Sequence, residues 1–139
     1  MHTIVVGVDG SAPAEVALEF AAHEAALREA RLLVVSAWES PMIVAPVGVY
    51  PVEAFQSLRD DVESIVKAAV ARVAELEPGV TCEGRVVEGQ PAAVLLREAQ
   101  DAVMVVVGSR GYGGFASLLL GSVSQQMVHH APCPVVVVR

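Results

Sequence analysis

The stretch AVMVVVGSRGYGGFASLLLGS, residues 102–122, decides how this chain is read. It opens on six apolar residues without interruption, Ala102 to Val107, the pattern of a strand covered on both faces. Five glycines then fall within the 14 residues from Gly108 to Gly121. Beyond them a helical segment runs from Ser122 to about His130. A buried strand that passes through a glycine-rich turn into a helix leaves backbone amides free to approach an anion. Ser122 at the helix start would add a hydroxyl and the positive end of the helix dipole.

The rest of the chain repeats the strand-then-helix rhythm. Ile4 to Val8 is a short apolar run that meets a turn at Asp9, Gly10 and Ser11. Ser11 as cap and Pro13 in the first turn start a helix over Ala14 to Ala30, whose inner face is marked by Val16, Phe20 and Leu27. Leu32 to Ala37 is a second apolar strand. Ser40 to Val52 carries Pro41, Pro46, Gly48 and Pro51 and reads as a surface loop. A long helix follows with an apolar stripe at Phe55, Leu58, Val62, Ile65, Ala69, Val73 and Leu76, closed by Pro78 and Gly79.

The third strand, Val80 to Val87, alternates. Val80, Cys82 and Val86 share one face, with Thr81, Glu83 and Arg85 on the other, as for a strand at an edge or with one wet face. Pro91 opens a short helix through Ala99, and Val135 to Val138 is the last strand. Five strands alternating with four helices predict one α/β domain: an open parallel sheet, helices on both faces and right-handed crossovers. No internal repeat is visible.

Composition narrows the function classes. The chain has 139 residues, 54% of them apolar and only 4% aromatic, so Val, Leu, Ile and Ala build the core. No apolar run approaches the roughly 20 residues that span a bilayer. Residues 1–5, MHTIV, read directly as a strand rather than as a signal peptide, which predicts a cytoplasmic protein. A net charge of −7 argues against nucleic acid as a partner. All 16 acidic residues lie between Asp9 and Asp101, whereas Ala102 to Arg139 holds none and carries Arg110 and Arg139. That stretch is either mostly buried or the seat of something anionic. Cys82 and Cys133 form neither a disulfide framework nor a metal cluster.

The glycine-rich stretch is not a Walker loop, for it lacks Gly-Lys-Ser/Thr. Gly111 to Ala116 fits a Rossmann fingerprint loosely, but after the fourth strand and with no acidic residue downstream for a ribose. Another pattern fits better. Gly108, two residues, Gly111, nine residues, then Gly121 and Ser122 resembles the nucleotide-binding signature of the universal stress protein family. The resemblance extends to IVVGVDGS (residues 4–11), GSRG (108–111), LGSV (120–123) and the closing HAPCPVVVVR (130–139). It covers essentially the whole chain.

That resemblance implies the strand order 3-2-1-4-5, an adenine nucleotide alpha hydrolase-like arrangement, with strands one and four side by side. It implies that Asp9 and Gly108 contact a ribose and that the backbone of Ala37 meets adenine. Gly111, Gly121, Ser122 and Val123 would hold phosphates, with Mg2+ as the accompanying cation. Apart from the resemblance, Arg110 is the one positive charge in the loop and would steer phosphates. Plainer roles stay open: Asp9 as a turn residue, Ser122 as a helix cap, Gly113 and Gly114 as loop filler, Arg110 as a solvated side chain. His129 and His130 suit a helix C-terminus better than a metal.

The expectation is an ATP-binding regulatory module of the stress response with little or no hydrolysis. No lysine is placed for the phosphates, and no base and nucleophile are paired. A slow ATPase or phosphotransferase, and a binder of another adenine nucleotide such as cyclic AMP, are the alternatives. The uncharged strand Val135 to Val138 at an open edge predicts a homodimer, and Cys82 and Cys133, on strands at opposite edges, are expected to stay free thiols.

Overall fold

Valine-rich runs at five places pair into one parallel sheet. The computed structural model describes residues 1–39, 52–111 and 120–139, without the side chains of 52–54. The strands are β1 (Thr3–Gly7), β2 (Arg31–Trp38), β3 (Cys82–Glu88), β4 (Met104–Gly108) and β5 (Val135–Val138), in the order β3-β2-β1-β4-β5. Every pairing is parallel. The helices are α1 (Ala12–Leu27), α2 (Val52–Leu76), α3 (Pro91–Glu98) with a 3-10 turn at Ala99–Asp101, and α4 (Ser122–His130). The loop expected over Ser40 to Val52 lies outside the described residues except for Val52, which opens α2.

Alternation along the buried strands divides the core. Ile4, Val6, Leu32, Val34, Met104 and Val106 face α1 and α2. Val5, Leu33, Val35, Val105 and Val107 face Val94, Leu95 and Ala99 of the α3 segment and Met127 of α4. Helices thus cover both faces, as the uninterrupted apolar runs require.

The inner face of α1 differs from the expected one. Val16 is 46% exposed and Leu27 79%, and of the three residues expected inside only Phe20 packs against the core. The buried row is Ala14, Ala17, Leu18, Ala21, Ala22 and Ala25. Alanines at five of these six positions let the helix backbone lie close to the sheet, and Val16 and Leu27 are turned out. In α2, Val66, Ala69 and Val73 are buried while Leu58 is 41% exposed.

The two edges are unlike. On β3, Cys82 packs toward α1 and α2, and a β-carbon at Gly84 would lie 2.5 Å from Val66 Cγ1. Its other face carries Glu83, paired with Arg31 and Arg85 at 3.0 Å each, and Arg85 also reaches Glu98. Exposed pairs of this kind stabilise by about 0–1 kcal/mol each but keep the edge charged. On β5 all four residues are half-buried valines. Cys82 and Cys133 are free thiols, and Cys133 lies two residues ahead of β5 rather than on it.

Candidate functional site

Order 3-2-1-4-5 places the reversal of connection between β1 and β4, and ligands in open parallel sheets bind beyond the carboxyl ends of the strands at such a point. A cavity of about 470 Å³ opens there. Asp9, Ala37, Gly108, Arg110, Gly111, Gly121, Ser122 and Val123, scattered over more than a hundred residues of sequence, all line it. The remaining wall is largely apolar: Val8, Ala14, Val35, Pro91, Val94, Leu95 and Val107. Gly113 and Gly114 lie outside the described residues.

Asp9 is held by a turn. Gly10 takes φ +82, a region that glycine enters without strain. Ser11 can then fold back, so that its N–H (2.9 Å) and hydroxyl (2.5 Å) both donate to Asp9 Oδ1. The same Ser11 oxygen accepts from Ala14 N–H at 3.4 Å and caps α1. Asp9 therefore does serve the turn, through Oδ1. Oδ2 faces Gly111, where a β-carbon would lie 2.6 Å from it.

The glycines are required for space. Gly121 has φ −76 and ψ 172, an extended backbone open to any residue. A β-carbon at Gly108 would lie 2.9 Å from the carbonyl of Pro13, in the first turn of α1. One at Gly121 would lie 3.2 Å from the α-carbon of Arg110. Both close approaches are to backbone, so these two glycines serve chain packing whatever the cavity holds.

The starts of α1, α3 and α4 are treated differently. Ser11 caps α1 through Ala14 N–H, and the Gln90 side chain caps α3 through Ala93 N–H at 2.8 Å. The N-cap of α4 is Gly121, which has no side chain to offer. Ser122 is the first helical residue and is exposed, so it is not the cap, and the cap role left open in the sequence is excluded. The start of α4 lines the cavity and has no side-chain cap, which leaves the positive end of its dipole at the cavity wall.

Several lining residues escaped the sequence reading. Ser36 is buried and donates to the Val8 carbonyl at 2.7 Å, fixing the parting of β1 and β2 beside Ala37. Ser124 is buried and donates to the carbonyls of Ser109 and Gly121. Pro91, Val94 and Leu95 supply an apolar wall from α3 that only the Pro at a helix start could have signalled.

Among the described lining residues Asp9 is the single acid and Arg110 the single strong base. One carboxylate oxygen, uncapped helix amides, a lone guanidinium and an apolar wall can accommodate an anionic group at one end and a flat apolar one at the other.

Known proteins share this arrangement. A model of the universal stress protein family matches residues 1–139. A universal stress protein of Mycolicibacterium smegmatis is 37% identical over 136 residues, 98% of this chain and 45% of the relative. One of Mycobacterium tuberculosis is 35% identical over 98% of this chain and 44% of its own length. The chain thus spans less than half the length of these relatives. Among solved structures, the universal stress protein from Archaeoglobus fulgidus in complex with dAMP superimposes with a TM-score of 0.74 at 26% identity, over 100% of this chain and 98% of that one. A universal stress protein in complex with cAMP gives 0.73 at 28% identity, over 99% and 96%.

Proposed function

We propose that this chain, which belongs to the universal stress protein family, is an ATP-binding regulatory module of the stress response that does little or no chemistry on the nucleotide. The observation that carries the reading is the convergence of the eight residues, Asp9 to Val123, on one cavity at the β1/β4 switch point. The relatives solved with dAMP and cAMP support an adenine nucleotide as the ligand class.

In this reading adenine lies between the backbone of Ala37 and the apolar wall of Val94 and Leu95. Asp9 Oδ2 and the backbone of Gly108 take the ribose. Phosphates meet the amides of Gly111, Ser122 and Val123 and lie against the α-carbon of Gly121, whose own N–H is held by the Ser109 carbonyl, with Arg110 at the mouth. A triphosphate suits a region that carries no Asp or Glu from Ala102 to Arg139. Mg2+ is commonly held by one or two carboxylates together with substrate phosphates. In this reading both oxygens of Asp9 are engaged, one by Ser11 and one by the ribose, so the phosphates would hold the cation, which would screen their charge. Phosphoryl transfer needs several charges placed around the γ-phosphate, and Arg110 alone among the described lining residues is thin provision. Free thiols suit a reducing compartment, and the cytoplasm belongs to this reading. A homodimer through β5 belongs to it as well.

Cyclic AMP is the second reading, favoured by the relative solved with it. Calorimetric titration with ATP, AMP, cAMP, adenosine and GTP in the presence of Mg2+, beside a phosphate-release assay, tests both. The expected result is tightest binding of ATP with release well below about 1 per second, the low end of kinase rates. Ser122→Ala should weaken ATP by roughly 10- to 100-fold through one charge-assisted hydrogen bond. Tighter cAMP than ATP would select the second reading, and no adenine nucleotide binding would defeat both.

A further inference from the structure

We propose that Ser124 is a positioning residue for the phosphate end of the nucleotide, acting through the backbone of Ser109 and Gly121. The proposal rests on the nucleotide reading above and adds to it a residue outside the family-like glycine pattern.

Ser124 sits in the first turn of α4, three residues after the N-cap, and is 1% exposed. Its one hydroxyl proton is shared between two carbonyls, Ser109 at 3.1 Å and Gly121 at 3.0 Å. Ser109 is held from two further sides. Its carbonyl accepts from Gly121 N–H at 2.6 Å, and its N–H donates to the Val138 carbonyl of β5 at 2.8 Å. The hydroxyl therefore ties the exit of β4, anchored to the sheet, to the entrance of α4. That entrance carries Gly121, Ser122 and Val123, all on the cavity wall.

Position is what this bond controls. With glycine as N-cap, no side chain at that residue fixes the helix start, and the Ser124 crosslink takes its place from within the helix. Removing it orphans neither carbonyl. Ser109 keeps Gly121 N–H, and Gly121 keeps Gln125 N–H at 3.0 Å. Truncation should thus spare the fold and loosen the bond from Gly121 N–H to Ser109, and with it the aim of the Ser122 and Val123 amides. The phosphate end of a ligand would register that loss, because adenine lies against β2 and α3, and the ribose against Asp9 and Gly108, which the pairing of β4 with β5 holds in the sheet.

The test compares ATP with adenosine in the parent, Ser124→Ala and Ser124→Thr, together with hydrogen exchange at the Gly121 amide without ligand. Ser124→Ala should bind adenosine like the parent and ATP roughly fivefold more weakly, the typical net worth of one neutral hydrogen bond. Gly121 exchange should quicken, and Ser124→Thr, which restores the hydroxyl, should return both readouts toward the parent. An unchanged ratio of ATP to adenosine affinity in Ser124→Ala, or unchanged Gly121 exchange, overturns the proposal while leaving nucleotide binding intact. Failure of the nucleotide reading looks different: the parent itself would bind neither ligand, and the phosphate-positioning role falls with it.

Discussion

Asp9 and Gly111 meet with no room between them for a β-carbon: one built on Gly111 would lie 2.6 Å from Asp9 Oδ2. The other oxygen, Oδ1, is committed to Ser11. The two oxygens of one carboxylate thus have separable duties. Asp9→Asn retains an acceptor for Ser11 and removes the charge, so it should leave stability within about 1 kcal/mol of the parent and weaken ATP tenfold or more. Asp9→Ala should also lose the turn, costing about 1–3 kcal/mol. Gly111→Ala should push the carboxylate aside and mimic Asp9→Asn. Calorimetry and urea unfolding of the three variants check this. Parent-like ATP binding by Asp9→Asn would reduce Asp9 to a turn residue.

The alanine face of α1 makes a prediction about stability that runs against side-chain size. Leu27→Ala and Val16→Ala remove larger groups from the exterior and should change unfolding free energy by no more than about 0.5 kcal/mol. Ala21→Val adds two methyl groups where none is accessible, and overpacking there should cost about 1–3 kcal/mol. Urea midpoints in the reverse order would restore the face expected from sequence.

That inversion shows where sequence reading stops. Strands β1, β2 and β4 were legible because each is apolar on both faces and bounded by turn residues, and β3 because Thr81, Glu83 and Arg85 alternate with Val80, Cys82 and Val86. Their order was not legible from periodicity. It came with the resemblance carried by Gly108, Gly111, Gly121 and Ser122. In α1, alanine occupies so many positions that no apolar stripe sets a phase, and closeness of packing chose the face instead. The site followed the same division. Eight lining residues could be named because they sit in the glycine pattern or at strand ends. Ser124 could not, since its partner Ser109 is 15 residues away and its worth depends on a fold. Nor could the reason for Gly108, which is the carbonyl of Pro13.

Burial pushes the Cys82 thiol up from its ordinary value near 9 to about 11, and shifts Cys133 in the same direction. The unfolded chain gives up the Cys82 proton near pH 9 while the fold keeps it to about 11. This contribution to stability is therefore complete below pH 9 and lost as pH rises through 11. Because the residue is only half-buried, solvent reduces the effect below its full linkage value. Comparing the parent with Cys82→Ala by urea unfolding at pH 8 and pH 10.5, the advantage of the parent should narrow at the higher pH. A constant difference would mean that the thiol titrates alike in both states. At pH 8 both thiols should react slowly in the fold, and unfolded, unreduced protein should yield two equivalents per chain.

The last prediction concerns β5, an edge strand of four valines beside a sheet whose other edge is charged. Pro134 and Val138 turn their carbonyls to β4, accepting from Val105 N–H at 2.9 Å and Ser109 N–H at 2.8 Å. By alternation Val136 faces β4 as well, and the backbone groups of Val135 and Val137 point outward from the sheet. Nothing in those four residues guards this edge, whereas β3 has Glu83 and Arg85. The parent should therefore be a homodimer at micromolar concentration. Val137→Pro removes an outward donor and no bond to β4, and proline is tolerated on edge strands. It should cost about 1–2 kcal/mol in packing, because Val137 lies against the layer of Val105 and Met127, and leave a folded monomer. Val136→Pro, which deletes a donor facing β4, should instead lower the urea midpoint more steeply. Sedimentation equilibrium of both variants and the parent decides. A monomeric parent, or a Val137→Pro variant that stays folded and dimeric, would show that β5 is not the self-association edge.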